Sequence, residues 1–323
     1  MYHLIYRNYT VEGDSAMYKK MLVPLDGSEL AEVVFAYAKE LAGRLDLSLV
    51  LLHVCSPAAQ EFAPMHQKYI ERAADIVERQ SREVQEQSGI KKGGKPVEAR
   101  GVLVIGNPAA EIIDYSEKNN IDIILMATHG HSGVRRWALG GVADKVLRAS
   151  KVPVWLVRAG VSEEIVYDQW PKRTMLVPLD GSKMSESVLP HVEALAKQRG
   201  AELVDIILLR VCDIPVVSSD YPSDMPLSWE EHVRRITEYR KHLAERYLAG
   251  VEKQLEGTGL NVQCEVLTGD PAEQIINHAN KNPFNLIVMS TYGRSGLQWW
   301  TWGSVAEKVL QGTSRPIFLV RPG

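Results

Sequence analysis

Apolar and polar positions along the chain follow two different periods. In the first half, short runs rich in leucine and β-branched residues predict strands at 20–26, 47–54, 97–104, 121–127 and 153–158. Segments with helical periodicity lie between them, at 29–43, 66–88, 108–118 and 141–150. The run 121–126 lacks regular polar alternation, which is typical of a strand buried on both faces of a sheet. The pattern predicts an α/β fold, a doubly wound parallel sheet flanked by helices.

The second half of the chain repeats the first. Four motifs recur in the same order, so we interpret the chain as the duplication of one domain. In one-letter code the pairs are MLVPLDGS at Met21–Ser28 and Met175–Ser182, LLHVC at Leu51–Cys55 with LLRVC at Leu208–Cys212, GNPA at Gly106–Ala109 with GDPA at Gly269–Ala272, and the final strands at Val152–Arg158 and Arg315–Arg321.

These repeats set the expected domain boundaries. We predict one domain over 17–158 and a second over 173–323, each with its own sheet. Residues 159–172 carry glycine, serine and proline between two strand patterns and are interpreted as a linker. Residues 1–16 are interpreted as an N-terminal extension, so Met1 and Met17 both remain candidates for the start of translation.

Composition narrows the class of protein. The chain is 45% hydrophobic and 24% charged, with a net charge of −3, as in ordinary soluble globular proteins. This balance gives no overall attraction to nucleic acid or to anionic membranes. Cys55, Cys212 and Cys264 have neither the number nor the spacing of a disulfide framework or a metal motif. We therefore expect a cytoplasmic protein, with no metal site, in which Cys55 and Cys212 are small buried residues.

The expected ligand position is the carboxyl edge of each sheet. In open α/β sheets, ligands bind beyond the strand ends where the strand order reverses, here after the first and fourth strands. Asp26 follows the first strand, and a glycine-rich loop, Ala127–Gly133, follows the fourth. Asp180 and the loop Ser290–Gly296 repeat this arrangement in the second copy.

Each loop leads to glycine at the start of a helix. Gly140–Gly141 and Gly303–Ser304 occupy this place in the two copies. Glycine allows close backbone approach, and a helix N-terminus offers unpaired N–H groups to an anion. The helix start could bind a phosphate, and the neighbouring aspartate could accept from a ribose hydroxyl or an adenine amine. Together these features predict a nucleotide site in each copy.

These motifs resemble the universal stress protein family, over nearly the whole chain from Met17. ATP-binding members carry a glycine signature, G-x-x-G, nine residues, then glycine with serine or threonine. The second copy has Ser290-x-x-Gly293, the nine residues 294–302, and Gly303–Ser304. The first copy ends in Gly140–Gly141, which lacks the hydroxyl, so we rank the second site above the first.

The resemblance implies a five-stranded parallel sheet in the order 3-2-1-4-5 in each domain. It also implies binding of ATP, or of ADP or AMP, with Mg²⁺ as an optional companion of the phosphates. The implied binding residues are Asp180, Val211, Met289, Ser290, Gly293, Gly303, Ser304 and Val305 in the second copy, and Asp26, Val54, Met126, Ala127, Gly130, Gly140 and Gly141 in the first.

Several of these residues also have purely structural interpretations. Ser304 and Glu307 match a capping box, and Asp26 could form a turn or cap the next helix. Met126 and Met289 could be ordinary core residues. His129 and His131 are interpreted as surface or phosphate-adjacent residues in preference to metal ligands, since the second copy has Tyr292 and Arg294 there.

Three functions remain open on the sequence. The leading hypothesis is a stress-response regulatory protein whose bound nucleotide alters loop order or partner choice, with no catalytic residues. The alternatives are a slow ATPase and a ligand-free scaffold. The last strand of each sheet is a predicted edge, and in the family such edges join domains, so we expect an internal pseudo-dimer; the same edges could support a homodimer.

Overall fold

The computed structural model describes residues 16–87, 95–129, 139–159, 173–214, 228–282, 286–292 and 303–322. These residues form two compact units. The first contains the first-copy elements together with the segment Val188–Gly200, and the second contains the remaining second-copy elements. Apart from Ala159, the predicted linker lies outside the described residues, so the domain boundary stays a prediction.

The first copy is the predicted doubly wound sheet. Its strands pair in parallel in the order β3-β2-β1-β4-β5, which confirms the expected 3-2-1-4-5 topology. The strands are β1 (Lys20–Leu25), β2 (Ser48–Cys55), β3 (Ala99–Ile105), β4 (Ile123–Ala127) and β5 (Val154–Val157). The helices are α1 (Glu29–Glu32), α2 (Val34–Leu45), α3 (Ala63–Gln87), α4 (Pro108–Lys118) and α5 (Gly141–Ala149).

The second copy has the same topology. Its strands pair in parallel in the order β8-β7-β6-β9-β10. The strands are β6 (Arg173–Pro178), β7 (Val204–Cys212), β8 (Asn261–Thr268), β9 (Leu286–Ser290) and β10 (Ile317–Val320). The helices are α6 (Lys183–Glu186), α7 (Leu189–Arg199), α8 (Trp229–Leu255), α9 (Pro271–Lys281) and α10 (Ser304–Gly312).

The core follows from the apolar runs. Every residue of β4, β5, β9 and β10 is buried, as expected of strands inside a parallel α/β sheet. Cys55 and Cys212 are buried, as predicted. Among the described residues, no helix combines the length and the apolar character that crossing a membrane requires.

Two predicted segments differ from the structure. The helix predicted at 29–43 is two helices, because α1 ends at Glu32 and α2 begins at Val34. The helix predicted at 66–88 begins earlier, at Ala63, and the stretch before it is also helical: Pro57–Phe62 forms a 3-10 helix that runs directly into α3. Its counterpart after β7 lies largely outside the described residues.

Candidate functional site

The strand register brings the predicted first-copy residues to one edge of the sheet. Leu25 pairs with His53, and Met21 pairs with Ile123, so β1, β2 and β4 end side by side. A cavity of about 210 Å³ opens at this edge. Six of the seven predicted residues line it, and Gly130 lies outside the described residues; the six are Asp26, Val54, Met126, Ala127, Gly140 and Gly141.

The walls of this cavity are mainly apolar, with a polar rim. Leu52, Ile112 and Ala143 form part of the apolar wall. Asp26, Thr128 and His129 add polar groups. An apolar pocket with a few convergent polar groups is the usual form of a small-molecule site.

Asp26 has a structural role as well as a place in the cavity. Its Oδ1 accepts from the backbone N–H of Ser28 at 3.0 Å and from the Ser28 hydroxyl at 2.6 Å. Ser28 in turn caps α1 by accepting from the N–H of Ala31 at 3.2 Å. Gly27, between them, has a φ of 81°, which favours glycine. The turn therefore fixes the Asp26 carboxylate at the cavity.

The start of α5 forms the opposite side of the cavity. The Gly140 N–H donates to the carbonyl of Thr128 at 2.8 Å, and the first intrahelical bond runs from the Asp144 N–H to the Gly140 carbonyl at 2.9 Å. The N–H groups of residues 141–143 precede that bond and have no intrahelical partner. A Cβ on Gly140 would lie 3.0 Å from the Thr128 carbonyl oxygen, so this close approach favours glycine.

Side-chain capping distinguishes the start of α5 from the starts of α4 and α9. α5 begins at its N-cap, Gly140, with no side-chain cap hydrogen bond. By contrast, Asn107 caps α4 by accepting from the Ala110 N–H, and Asp270 caps α9 by accepting from the Glu273 N–H. The uncapped donors and the positive end of the α5 dipole therefore face the cavity.

His129 lies on the rim, beside the start of α5. Its Nδ1 lies 3.1 Å from the Thr128 hydroxyl oxygen. Burial, and then the nearby Arg158 guanidinium, hold the pKa of His129 below its usual range. The imidazole is therefore mainly neutral at neutral pH.

The second copy repeats this geometry. Asp180 Oδ1 accepts from the Ser182 N–H at 2.9 Å and from the Ser182 hydroxyl at 2.5 Å. The Gly303 N–H donates to the Thr291 carbonyl at 3.0 Å, as Gly140 does to Thr128. Because β6 pairs with both β7 and β9, Asp180 shares this edge with three other predicted residues, Val211, Met289 and Ser290. Gly293 lies outside the described residues.

Ser304 is not the capping residue of α10. The N-cap is Gly303, which makes no side-chain cap hydrogen bond, and Ser304 is the first residue of the helix. The capping-box interpretation is therefore wrong by one position. The exposed Ser304 hydroxyl instead stands at the helix start beside Val305, among the uncapped N–H groups.

Several residues at these sites were missed in the sequence, and three of them are marked by the repeats. Thr128 and Thr291 hold the helix-start glycines through their carbonyls, and Pro108 lines the first cavity. The signal was present in the repeats, because a threonine stands at the same place in both glycine loops and a proline in both G-x-P-A motifs.

Comparison with known proteins identifies the same family for both halves of the chain. The model of the universal stress protein family matches residues 17–158 and 172–321. A universal stress protein of Methanocaldococcus jannaschii is 34% identical over 149 residues, which are 46% of this chain and 82% of that protein. One from Mycolicibacterium smegmatis is 26% identical over 308 residues, covering 94% of this chain and 97% of that protein.

Among solved structures, a universal stress protein from Archaeoglobus fulgidus has a TM-score of 0.61 at 22% identity. The match covers 94% of this chain and 98% of that one. The likeness shows the fold, and the family model matches both halves of the chain. This chain therefore belongs to the universal stress protein family and carries two such domains in tandem.

Proposed function

We propose that this protein is a regulatory adenine-nucleotide-binding protein of the stress response, with one nucleotide site in each copy. The observation that carries the proposal is the uncapped start of α5, which faces a cavity lined by Asp26 and apolar side chains. The equivalent helix, α10, is also uncapped and starts beside the strand edge that carries Asp180. Each copy thus pairs free N–H donors with a fixed carboxylate.

The two ends of this arrangement suit the two ends of a nucleotide. The backbone N–H groups at the helix start would bind phosphate oxygens. Val54 and Met126 would pack against the adenine, and Asp26 would accept from a ribose hydroxyl or from the adenine amine. The cavity volume of about 210 Å³ is below that of most ligand pockets, so it would hold the adenosine part while the phosphates lie at its mouth.

The preferred ligand in this proposal is ATP, with ADP and AMP as alternatives. Magnesium would arrive on the phosphates, since Mg²⁺ commonly binds through phosphate oxygens and water. In the second copy, Ser304 adds a hydroxyl donor beside the helix N–H groups. We therefore propose tighter binding there than in the first copy, where Gly141 stands in its place.

The test is a calorimetric titration of ATP, ADP and AMP into the full chain and into variants of the helix starts. A Cβ on Gly141 would meet no atom within 4 Å, so Gly141→Val projects into open space without a clash in the free protein. We expect Gly141→Val to abolish first-site binding and Ser304→Val to abolish second-site binding, because each bulky group excludes a phosphate.

Gly250→Val is the matched control. Gly250 lies in α8, and its added Cβ would also meet nothing within 4 Å. This variant should bind nucleotide like the wild type. Unchanged binding in both Gly141→Val and Ser304→Val would remove the proposed sites. Phosphate release measured on the same samples at catalytic protein concentration would, if present and lost in these variants, replace the regulatory proposal with a slow ATPase.

A further inference from the structure

Two histidines of the first copy are stacked beneath the turn that carries Asp26. His53, on β2, faces α3 and is only 4% exposed. The His66 ring, on the first turns of α3, lies parallel to it, with ring centroids 4.4 Å apart and an interplanar angle of 15°. His53 Nδ1 is buried and has no hydrogen-bond partner. A buried imidazole with an unpaired nitrogen has a cost that a purely structural core would avoid.

Tyr69 connects this stack to the Asp26 turn. Its ring meets the His53 ring edge-on, at 6.2 Å between centroids. Its hydroxyl donates to Glu32 Oε1, on α1, at 2.8 Å. A Cβ on Gly27 would lie 4.0 Å from Tyr69 Cε1. The first turns of α3 therefore pack on the turn that fixes Asp26, and the histidine stack helps to hold them there.

The second copy keeps the tyrosine and replaces both histidines. Tyr247 donates to Glu186 Oε1 at 2.9 Å, just as Tyr69 donates to Glu32. Arg210 replaces His53 in the LLHVC and LLRVC repeat, and alignment on the two tyrosines puts the buried Ala244 in place of His66. The Arg210 guanidinium lies 5.9 Å from the centre of the Tyr247 ring. It also donates through Nη1 to the Leu179 carbonyl at 3.0 Å.

One permanently charged side chain thus occupies the place of two titratable rings. Arginine keeps its charge throughout the physiological range, whereas an imidazole changes charge near neutral pH. We propose that protonation of His53 disrupts its stack on His66, loosens α3 from the Asp26 turn and weakens nucleotide binding at the first site, and that Arg210 removes this pH response from the second site. This proposal rests on the proposed function.

Burial and the groups around His53 determine whether its pKa is raised or lowered. Burial lowers its pKa below the ordinary 6.5, and His66 lowers it further. The Leu25 carbonyl and Asp26 act in the opposite direction, but burial has the larger effect. Glu32 faces the cluster from α1, where it accepts from Tyr69. His53 therefore stays neutral in the packed state.

The sign of the effect follows from this lowered pKa. Between pH 6.5 and the lower folded pKa, the unfolded or locally opened chain binds more protons than the packed one. Falling pH therefore favours opening across this window. Well above pH 6.5 both states are neutral and the stack is retained.

The experiment exchanges the two sets of side chains. The double variant His53→Arg with His66→Ala places the second-copy pair in the first copy, and Arg210→His with Ala244→His does the reverse. All proteins carry His129→Tyr, the second-copy residue, because His129 lines the same cavity and also titrates. Adding Ser304→Val blocks the second site, so that the first is measured alone, and adding Gly141→Val blocks the first site, so that the second is measured alone.

ATP affinity is measured at about pH 7.5 and about pH 5.5, on either side of the histidine range. The parent protein is the one that carries His129→Tyr but keeps His53 and His66. When the pH is lowered, we expect its first-site affinity to fall by about tenfold more than that of the His53→Arg, His66→Ala variant. The reverse exchange should give the second site a comparable loss. The nucleotide phosphate titrates in this range too, so the difference between variants is the result. Equal pH dependence in parent and exchanged proteins would overturn the proposal.

A second readout needs no nucleotide and no core substitution. Amide hydrogen exchange of residues 63–70, corrected for the intrinsic effect of pH, should speed up over the pH range in which NMR shows the His53 ring gaining its proton. Unchanged protection of these amides would overturn the inference even if ATP binds. Absence of ATP binding at every pH, together with the expected loss of amide protection, would instead refute the proposed function. The pH-dependent loosening of α3 would then still hold.

Discussion

At the scale of single residues, the two sites differ most clearly at the first position of the helix that would bind phosphate. Gly141 begins α5 and Ser304 begins α10. Since both helices lack a side-chain cap, the two positions offer the same backbone donors. The serine hydroxyl is the additional donor, and a hydrogen bond to a charged group contributes more than a neutral one.

We therefore expect Gly141→Ser to tighten first-site ATP binding by about fivefold, equivalent to about 1 kcal/mol. The site accepts the side chain, because an added Cβ meets nothing within 4 Å. The measurement is a calorimetric titration with the second site blocked by Ser304→Val. Gly141→Ala is the control for the loss of glycine alone and should leave affinity nearly unchanged. Equal affinities for the serine and alanine variants would mean that the hydroxyl does not reach the ligand.

The sequence predicted individual site residues where the duplication marked them. Asp26, Gly140 and their counterparts stood out because each occurs twice, at a strand end or a helix start. The His53–His66 stack had no such mark, since its members lie on different elements and neither recurs in the second copy. Only the packing of α3 against β2 brings the two rings together.

At the scale of elements, close helix packing determines where glycine is required. Gly43 lies in α2, where an added Cβ would come within 2.5 Å of the Ser81 carbonyl oxygen and 2.7 Å of Val84 Cβ, both on α3. Gly250, in α8, has open space at the same position. Two helical glycines thus have opposite expected responses to the same substitution.

Gly43→Ala should lower the free energy of unfolding by about 1–3 kcal/mol, because the new methyl group forces α2 and α3 apart. Gly250→Ala should raise it by about 0.5–1 kcal/mol, since alanine has the higher helix propensity and meets no obstacle. Urea unfolding followed by circular dichroism measures both. A stabilising Gly43→Ala would show that α2 and α3 are not in such close contact.

Regular elements were largely predictable and their breaks were not. The predicted strand over 20–26 is β1 at Lys20–Leu25, and α4 has its predicted bounds, because the Asn-Pro pair marks its start. The break between α1 and α2 was missed, since helical periodicity continues through Val33. In the second copy, Pro190 gave a signal for the equivalent break, because proline lacks the N–H that would continue α6.

At the scale of the whole molecule, duplication preserved the scaffold and changed the side chains at its edges. Both sheets have the same strand order, and both helix-start glycines donate to a threonine carbonyl. The differences between His53 and Arg210 and between Gly141 and Ser304 lie near the carboxyl ends of the strands or at a helix start, where the nucleotide sites are proposed. The two proposed sites would therefore share one fold and differ in affinity and in pH response.

The most direct test of the central claim is an NMR titration of the backbone amides with ATP and, separately, with adenosine. We predict that ATP shifts the amide signals of residues 141–143 and 304–306 strongly, and that adenosine shifts them far less, because the phosphates contact the uncapped helix starts. The amides of Ala110 and Glu273, which are held by side-chain caps, should stay in place. Identical responses to both ligands, or no response at either uncapped helix start, would contradict the account.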